Sequence, residues 1–412
     1  MARAGFRDGR AAGQRGMKIL YHHRTRGREV EGVHIRGIVG GLRELGHEVS
    51  VMSFPGADPE AEPSGAKGQP GKKGLLATLV SRTPGVLFEF LEIGYNLVTW
   101  FRIGSVLRRN RPDLIYERYS MFLWATVWQA RRHGIPVILE INDSALVPRV
   151  RPLFLKKTAR RIERWCMRTC TGLVFISSYF RDVAARAYEG IAHSVVSPNA
   201  ADVQRFDPSR FDRASLRAAR GLGEQVVCGY VGAFVHWHGV ADFVAGIADR
   251  LAAAPQITLL LVGGGSDLAA VQAMVAERGL GHRILLPGRV DHAEIPDWIA
   301  CMDYAVLPNS NEYGSPMKLF EFMAMGVGVV APDYSPIAEV IDDGGTGWLF
   351  PRGDAAACVE RVLALSTQRQ QQAAVGQAAR AYIVRERQWR NNAEQLLSLL
   401  PDAAQSERLA AS

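Results

Sequence analysis

The chain has 412 residues, 48% of them hydrophobic and 22% charged, enough for two or three ordinary domains and incompatible with a disordered, collagen-like or disulfide-scaffold protein. Its five cysteines (Cys166, Cys170, Cys228, Cys301, Cys358) form no CxxC or Cys/His array of zinc spacing, so free thiols in a reducing cytoplasm are expected and no metal site. The net charge of +8 hides an asymmetry: residues 1–200 carry 31 Lys and Arg against 17 Asp and Glu (+14), and residues 201–412 carry 18 against 24 (−6), which points the first half at an anionic partner.

Residues 1–16 are basic and rich in Gly and Ala without an apolar core, and read as a disordered tail or a mis-called start rather than a secretory signal. Short apolar runs then alternate with amphipathic stretches, which predicts a parallel α/β architecture. Strands are expected at Lys18–Tyr21, Glu48–Ser53, Leu114–Glu117, Pro136–Ile141 and Gly172–Ile176. A helix is expected over Val33–Leu45, a mobile loop over Pro55–Gly74 and a basic helix over Val150–Thr169. No run of eighteen apolar residues occurs, the best contender (Gly74–Val106) being broken by Arg82, Glu89, Glu92 and Arg102, so nothing is expected to span a bilayer.

After a linker near Ser197–Pro208 the grammar repeats. Strands are expected at Gln225–Val231, Gln256–Val262, Arg283–Leu286, Asp303–Leu307 and Val327–Ala331. Helices are expected at Val240–Ala253, Asp267–Glu277, from Ser315 and near Asp354–Ser366. Two Rossmann-like domains, over 17–197 and 205–375, would therefore face each other across a cleft, with 376–412 as a C-terminal extension.

The chemistry is concentrated between Asn311 and Gly326. Ser315 reads as an N-cap with Pro316 at the first helical position, which puts Lys318 in the first turn, where the macrodipole disfavours a cation. Glu321 follows among Leu319, Phe320, Phe322, Met323 and Met325, so a carboxylate enters a helix that is apolar nearly all round and needs a partner. An i,i+3 Lys318–Glu321 pair is one answer, in the less favourable order and contributing only about 0.2–0.5 kcal/mol. A ligand answers both oddities: phosphate at the helix N-terminus beside Lys318, and ribose hydroxyls on Glu321. The loop Val231-Gly-Ala-Phe-Val-His-Trp-His-Gly239 leaves a strand and enters a helix, where glycines let backbone approach a diphosphate and His236 or His238 can add a donor or a proton. Gly263-Gly-Gly265 lacks dinucleotide spacing and reads as a sharp turn at the cleft edge.

Ser315-Pro-x-Lys318-x-x-Glu321-x-Met-Ala-x-Gly326, the Trp237-His238-Gly239 loop and Ser197-Pro-Asn199 ahead of Arg205-Phe206 resemble the family 4 retaining glycosyltransferases. Gly288 followed by Val290, Gly344-x-x-Gly347-x-Leu349-Phe350, Gly32-Val-His34 and Leu45-Gly-His-Glu48 fit the same pattern, which covers Met17 to Glu394. The resemblance implies a GT-B fold, a UDP- or GDP-sugar donor on the C-terminal domain and an acceptor on the N-terminal one. It further implies retention of anomeric configuration, no cofactor and no required metal, in keeping with the lack of any Asp-x-Asp. Carried over, Glu321 holds the ribose, Lys318 the diphosphate and the backbone at Arg289–Val290 the base, while Gly232, Gly239, Ser315 and Pro316 complete the donor set. Gly32, Val33 and His34 fall to the acceptor, Lys318, His238 and Glu140 are the catalytic candidates, and a helix around Gln388–Leu400 returns to the first domain.

The chain also departs from the family. Tyr313 stands where many relatives carry an acid eight residues before Glu321, with Glu312 one position off; Ala233 and His238 replace a common Arg and Lys; Glu140-x-Asn142 stands where a histidine often follows the strand ending at Ile141. Leaving-group charge therefore falls to a cationic His238 or to Lys318 alone.

The basic half names the acceptor's setting. Arg149, Arg151, Lys156, Lys157, Arg160, Arg161, Arg164 and Arg168 are interleaved with Leu153, Phe154, Leu155, Ile162 and Trp165. This is either a solvated face or an interfacial helix on anionic lipid. With the amphipathic stretch Gly74–Arg111 it suggests a peripheral enzyme on the inner face of the membrane, acting on a lipid-linked glycan as in exopolysaccharide assembly. Nucleic acid is not expected, since no binding motif accompanies the charge. The rival readings are a sugar-nucleotide epimerase on the same fold, and a non-catalytic sugar-nucleotide-binding or membrane scaffold protein, to which Tyr313, Ala233 and Asn142 point.

Overall fold

The computed structural model describes residues 16–25, 27, 30–54, 57–60, 85–148 and 152–401. The expected tail (Gly16 apart), most of the Pro55–Gly74 loop, the stretch from Gly74 to Pro84, and Arg149 and Arg151 lie outside the described residues.

The first domain runs β1 (Lys18–His22), α1 (Val30–Glu44), β2 (Glu48–Met52), α2 (Gly85–Arg109), β3 (Leu114–Arg118), α3 (Ala125–Arg132), β4 (Val137–Ile141), α4 (Lys156–Thr169), β5 (Gly172–Phe175), α5 (Ser178–Ala187) and β6 (Ser194–Val196). Its sheet is parallel with strand order β2-β1-β3-β4-β5-β6. Helices cover both faces, which is why β4 is buried at all five positions and reads as a near-continuous apolar run.

The second domain runs α6 (Arg213–Ala219), β7 (Val226–Val231), α7 (Val240–Ala248), β8 (Ile257–Val262), α8 (Leu268–Glu277), β9 (Ile284–Gly288), α9 (Ile295–Ala300), β10 (Tyr304–Val306), α10 (Met317–Ala324), β11 (Gly328–Pro332), α11 (Ser335–Ala338), β12 (Trp348–Phe350), α12 (Ala355–Leu365) and α13 (Arg369–Glu386), before α14 (Trp389–Leu397). Strand order is β12-β11-β10-β7-β8-β9, again parallel. Each sheet carries core clusters on its two faces, so the molecule is two doubly wound α/β units.

Two helix starts differ from expectation for a visible reason. The basic helix begins at Lys156, not Val150, because the N–H groups of Phe154 and Leu155 each donate to the Glu89 carboxylate at 2.7 Å. The helix expected from Ser315 begins at Met317 with Pro316 extended (φ −74°, ψ 114°) as its N-cap. Ser315 cannot cap it, since its Oγ accepts the backbone N–H of Asn199 at 3.0 Å. The stretch expected as one helix over Val240–Ala253 breaks after Ala248 into a 3-10 turn at Leu251–Ala253. The Leu349-Phe350 motif itself lies in a strand paired with β11.

The expected division at residue 375 falls inside α13. Val375, Ala379 and Ile383 of that helix belong to the second domain's cores, whereas Trp389, Ala393 and Leu396 of α14 pack with α1 and β1 in the first. α14 comes close to α1 because α1 carries glycine at the two positions of nearest approach, Gly37 and Gly41. A Cβ on Gly37 would lie 2.3 Å from the Trp389 ring, and one on Gly41 2.5 Å from the Trp389 carbonyl oxygen, closer than real Cβ atoms come. The two chain crossings run together: Ala201 N–H donates to Arg387 O at 3.0 Å, and Asn392 Nδ2 to Pro198 O at 2.7 Å.

Candidate active site

Both sheets end their strands at the gap between the domains. On the second-domain side β7 closes at Gly232 (φ 153°) and β8 at Gly263 (φ 147°). A Cβ on Gly232 would sit 2.2 Å from Lys318 Nζ, and one on Gly263 would sit 1.8 Å from Gly232 O. Glycine is required at both, and the loop they shape lies directly against the lysine. His236–His238 form a single 3-10 turn that ends at Gly239 in the left-handed region (φ 66°), a conformation favouring glycine. Arg289, exposed, and Val290, half-buried on a core cluster, follow Gly288 at the end of β9. Arg289 Cβ lies 3.5 Å from where a Cβ on Gly264 would stand.

Lys318, the second residue of α10 and half-buried, donates to Tyr230 Oη at 3.2 Å, with its ammonium 4.6 Å from the ring centroid. Tyr230 Oη donates in turn to Ala233 O at 2.8 Å. His238 Nδ1 also lies 2.8 Å from Ala233 O, which fixes the proton on Nδ1. Burial and then the charge of Lys318 push the His238 pKa down from 6.5, so His238 is neutral at pH 7 and Lys318 carries the cationic charge that the sequence divided between them. Burial also lowers Lys318, to about 8, against the pull of Glu321.

Glu321, one turn on, is 8% exposed. Among the described residues it forms neither an ion pair nor a side-chain hydrogen bond, so the i,i+3 pair with Lys318 is not made. Burial raises its pKa to about 7 despite the opposing charges of Arg205 and Lys318. Arg205 is the residue that sequence reasoning quoted and gave no role. Its Nη2 donates to His292 Nδ1 at 2.8 Å and to the His292 carbonyl, and its guanidinium lies 5.3 Å from the Phe206 centroid. The signal was its place beside Phe206 in the quoted motif.

The raised carboxyl makes a measurable statement about pH. A group whose folded pKa exceeds its unfolded one stabilises the fold fully below the unfolded value, and that stability is lost as pH rises through the folded value. For Glu321 the window is 4.5 to about 7. The ligand-free protein is expected to lose on the order of 3 kcal/mol across it, at about 1.4 kcal/mol per unit. Urea midpoints from pH 5 to 8 test this; Glu321→Gln should flatten the slope, and an unchanged slope would refute the assignment.

The first-domain candidates form a closed network. Glu140, on β4 and 1% exposed, bonds His34 Nε2 and lies 3.2 Å from Arg118 Nη1, while His34 Nδ1 lies 2.8 Å from Asn199 Oδ1. Both imidazole nitrogens face oxygens, Asn199 Oδ1 on one side and the Glu140 carboxylate on the other, so neither is open to a further partner. Burial alone would raise Glu140, but His34 and Arg118 outweigh it and hold the carboxyl at about 2. His34 is 4% exposed and also meets the Trp389 ring edge-on at 5.0 Å. Gly32 serves a close approach, its position allowing a Cβ only 2.2 Å from Gly27 O, and Val33 packs against the first-domain core. The structure thus places these residues inside the first domain rather than on an open wall. Asn142, at the end of β4, keeps a buried Nδ2 with no hydrogen bond.

The network continues across the gap. Asn199 Nδ2 donates to Ser315 O at 2.6 Å, so His34, Asn199 and Ser315 join the first domain to the start of α10. Ser315 is therefore engaged by the hinge, and Pro316 sets the helix entry. Tyr313 lies on the same seam. Its carbonyl accepts from Ser177 Oγ at 3.0 Å, its hydroxyl donates to Pro148 O at 3.2 Å, and its ring packs 5.8 Å from Phe180. Glu312 accepts from Tyr179 Oη at 3.0 Å. The aromatic substitution thus serves domain contact.

Comparison with known proteins agrees with this architecture. Of the solved structures, a Rickettsia africae glycosyltransferase superposes with TM-score 0.72 (15% identity, 95% of this chain and 100% of that one). Sucrose-phosphate synthase from Thermosynechococcus elongatus gives 0.70 (17%; 96% and 100%). The Anabaena protein HepE, crystallised with UDP and glucose, gives 0.64 (19%; 93% and 98%). The fold is GT-B, two Rossmann-like domains facing across a cleft. A model for glycosyltransferase family 4 matches residues 32–205, and one for group 1 glycosyl transferases matches residues 225–368. A lipopolysaccharide core biosynthesis mannosyltransferase of Rhizobium meliloti is 30% identical over 66% of this chain and 80% of its own length. The chain belongs to the family 4 glycosyltransferases. It covers just over half of a Streptomyces kanamyceticus 2-deoxystreptamine glucosyltransferase (56%, at 30% identity over 50% of this chain). It covers 61% of a Mycolicibacterium smegmatis GDP-mannose-dependent phosphatidylinositol monomannoside mannosyltransferase, at 27% identity over 55% of this chain.

Proposed function

We propose that the protein transfers a glycosyl group from a nucleotide-sugar, held by the second domain, to a lipid-linked glycan acceptor at an anionic membrane surface, retaining the anomeric configuration. The observation that carries the reading is Glu321: a buried carboxyl with no partner among the described residues, next to an ammonium at a glycine-shaped loop. Ribose hydroxyls supply the hydrogen bonds it lacks. In the transfer the bond between the anomeric carbon and the diphosphate oxygen breaks, the electron pair leaves with the diphosphate, and the acceptor hydroxyl oxygen bonds the same carbon while its proton passes to the departing diphosphate. Negative charge grows on the diphosphate, where Lys318 and the first N–H groups of α10 stand preorganised. Closure of the cleft excludes water, the competing acceptor. No residue on the path is a metal ligand in this scheme. The complex of HepE with UDP and glucose, the phosphatidylinositol monomannoside in the name of one relative and the lipopolysaccharide core in that of another support the donor and acceptor classes. No helix among the described residues is long and apolar enough to cross a membrane.

The test is incubation with a radiolabelled panel of UDP- and GDP-sugars and extracted membrane lipid. Label entering the lipid phase is the expected result. Epimerised free sugar, or donor that binds and returns unchanged, would replace this reading with one of its two rivals.

A further inference from the structure

We propose that α2 lies flat in the lipid interface and is the element that docks the protein on an anionic bilayer, with α4 beside it gripping the headgroups. The inference rests on the membrane-borne acceptor proposed above and identifies the surface that reaches it.

α2 is built inside out. Over its first four turns the inward face is polar (Glu89, Asn96, Thr99), and only beyond these do Ile103 and Leu107 enter the first-domain core. Glu89 accepts the N–H groups of Phe154 and Leu155, while Asn96 accepts those of Trp124 and Ala125 and donates to Phe122 O at 2.9 Å. Its outward face is apolar: Leu87, Phe90, Leu91, Leu97, Val98 and Phe101 are 47–70% exposed. Their spacing follows one helical stripe, and no charged residue interrupts it from Val86 to Phe101. The remaining acid, Glu92, is bound by Arg24 at 2.9 Å. Water disfavours such a stripe, and isolated exposed apolar residues do not line up in this way. Polar anchors on the inner face hold the helix firmly enough to present it.

The surroundings identify the occupant by charge. At the C-terminal end of α2 stand the exposed Arg108 and Arg109. Trp100 of α2 stacks 4.0 Å from Trp128 of α3. Trp124 and Trp128 line, with Arg161, Ile162 and Trp165 of α4, a shallow cavity of about 470 Å³. α4 then exposes Lys156, Lys157, Arg160, Arg161 and Arg164, none in an ion pair among the described residues. An apolar stripe for acyl chains, indoles for the boundary and cations for anionic headgroups together match a bilayer surface.

The experiment is flotation of the full-length protein with equimolar POPC/POPG vesicles and with POPC alone. Binding to the POPG vesicles and weak binding to POPC are expected. Phe90→Ser with Phe101→Ser should lower the partition coefficient by about tenfold or more, and Lys156→Glu with Arg160→Glu should bring POPG binding down to the POPC level. Wild-type protein that fails to float with POPG, or a serine variant that floats like wild type, overturns the proposal. So does a dimer that the serine variant converts to monomer without any flotation, which gives the face to a second copy. A serine variant that neither floats differently nor dimerises but melts lower assigns the face to the chain's own neighbouring residues, and overturns it too. UDP- and GDP-sugar binding, measured on the same samples by calorimetry, keeps the two readings apart. Donor binding intact with flotation absent removes only the docking, and flotation intact with no donor bound removes only the transfer.

Discussion

Lys318→Ala is expected to lower kcat by about 10²–10³-fold, equivalent to roughly 2.7–4 kcal/mol of transition-state stabilisation, with a much smaller change in KM. The reason is the sequence of charge: the diphosphate acquires its extra negative charge only as the glycosyl bond breaks, so an ammonium aimed at it acts mostly on the barrier. No neighbour can take over, because His238 is neutral and Ala233 occupies the place of a basic side chain. Lys318→Arg should not rescue the loss, since the ammonium already stands where even a Cβ on Gly232 would come within 2.2 Å and a guanidinium is wider. Glu321→Ala is expected to raise KM and affect kcat less, as ribose contacts exist in both ground and transition states. Steady-state kinetics on the donor that labels lipid will separate the two patterns; a Lys318→Ala enzyme with full kcat would discard the site.

His34→Ala is expected to destabilise the protein by about 3–5 kcal/mol, the usual result of removing one partner from a buried ion pair. Arg118, 3.2 Å from Glu140, keeps part of the compensation and sets the lower end of that range. The same substitution leaves Asn199 Oδ1 without its donor and so loosens the link to Ser315. Acid should act similarly on the wild type. Glu140 is depressed from 4.5 to about 2, so the stability it contributes is complete above the unfolded value and is lost as pH falls through about 2. Urea unfolding gives the free energy, and Glu140→Gln combined with His34→Ala should recover part of it. A His34→Ala protein of wild-type stability whose acceptor affinity alone is reduced would return His34 to the acceptor wall.

Much of this was legible because parallel sheets covered on both faces leave near-continuous apolar runs, and glycines mark the strand exits. The Lys318–Glu321 oddity was legible for a different reason: it breaks helix rules that the neighbouring residues obey. What the sequence could not show is contact at long range. Ser315 reads as a helix cap, yet Asn199 occupies its hydroxyl from across the hinge. Glu89 reads as a break in an apolar stretch, yet it captures the two N–H groups that would have begun α4 earlier. His34 and Glu140 look available in one dimension and are locked together in three. Tyr313 reads as a missing acid, and only the packing against Phe180 shows its use. α13 was missed because its Gln- and Ala-rich sequence carries little apolar periodicity.

The paired crossings at Ala201 and Arg387 have a mechanical consequence. Two covalent connections side by side act as one hinge post: the lobes can swing about it only by parting seam contacts such as Ser177–Tyr313 and Tyr179–Glu312, while sliding past each other is resisted at both threads. Donor and acceptor would then approach along a single arc fixed when the chain folds, and the swing that shuts out water also brings the reacting atoms into line.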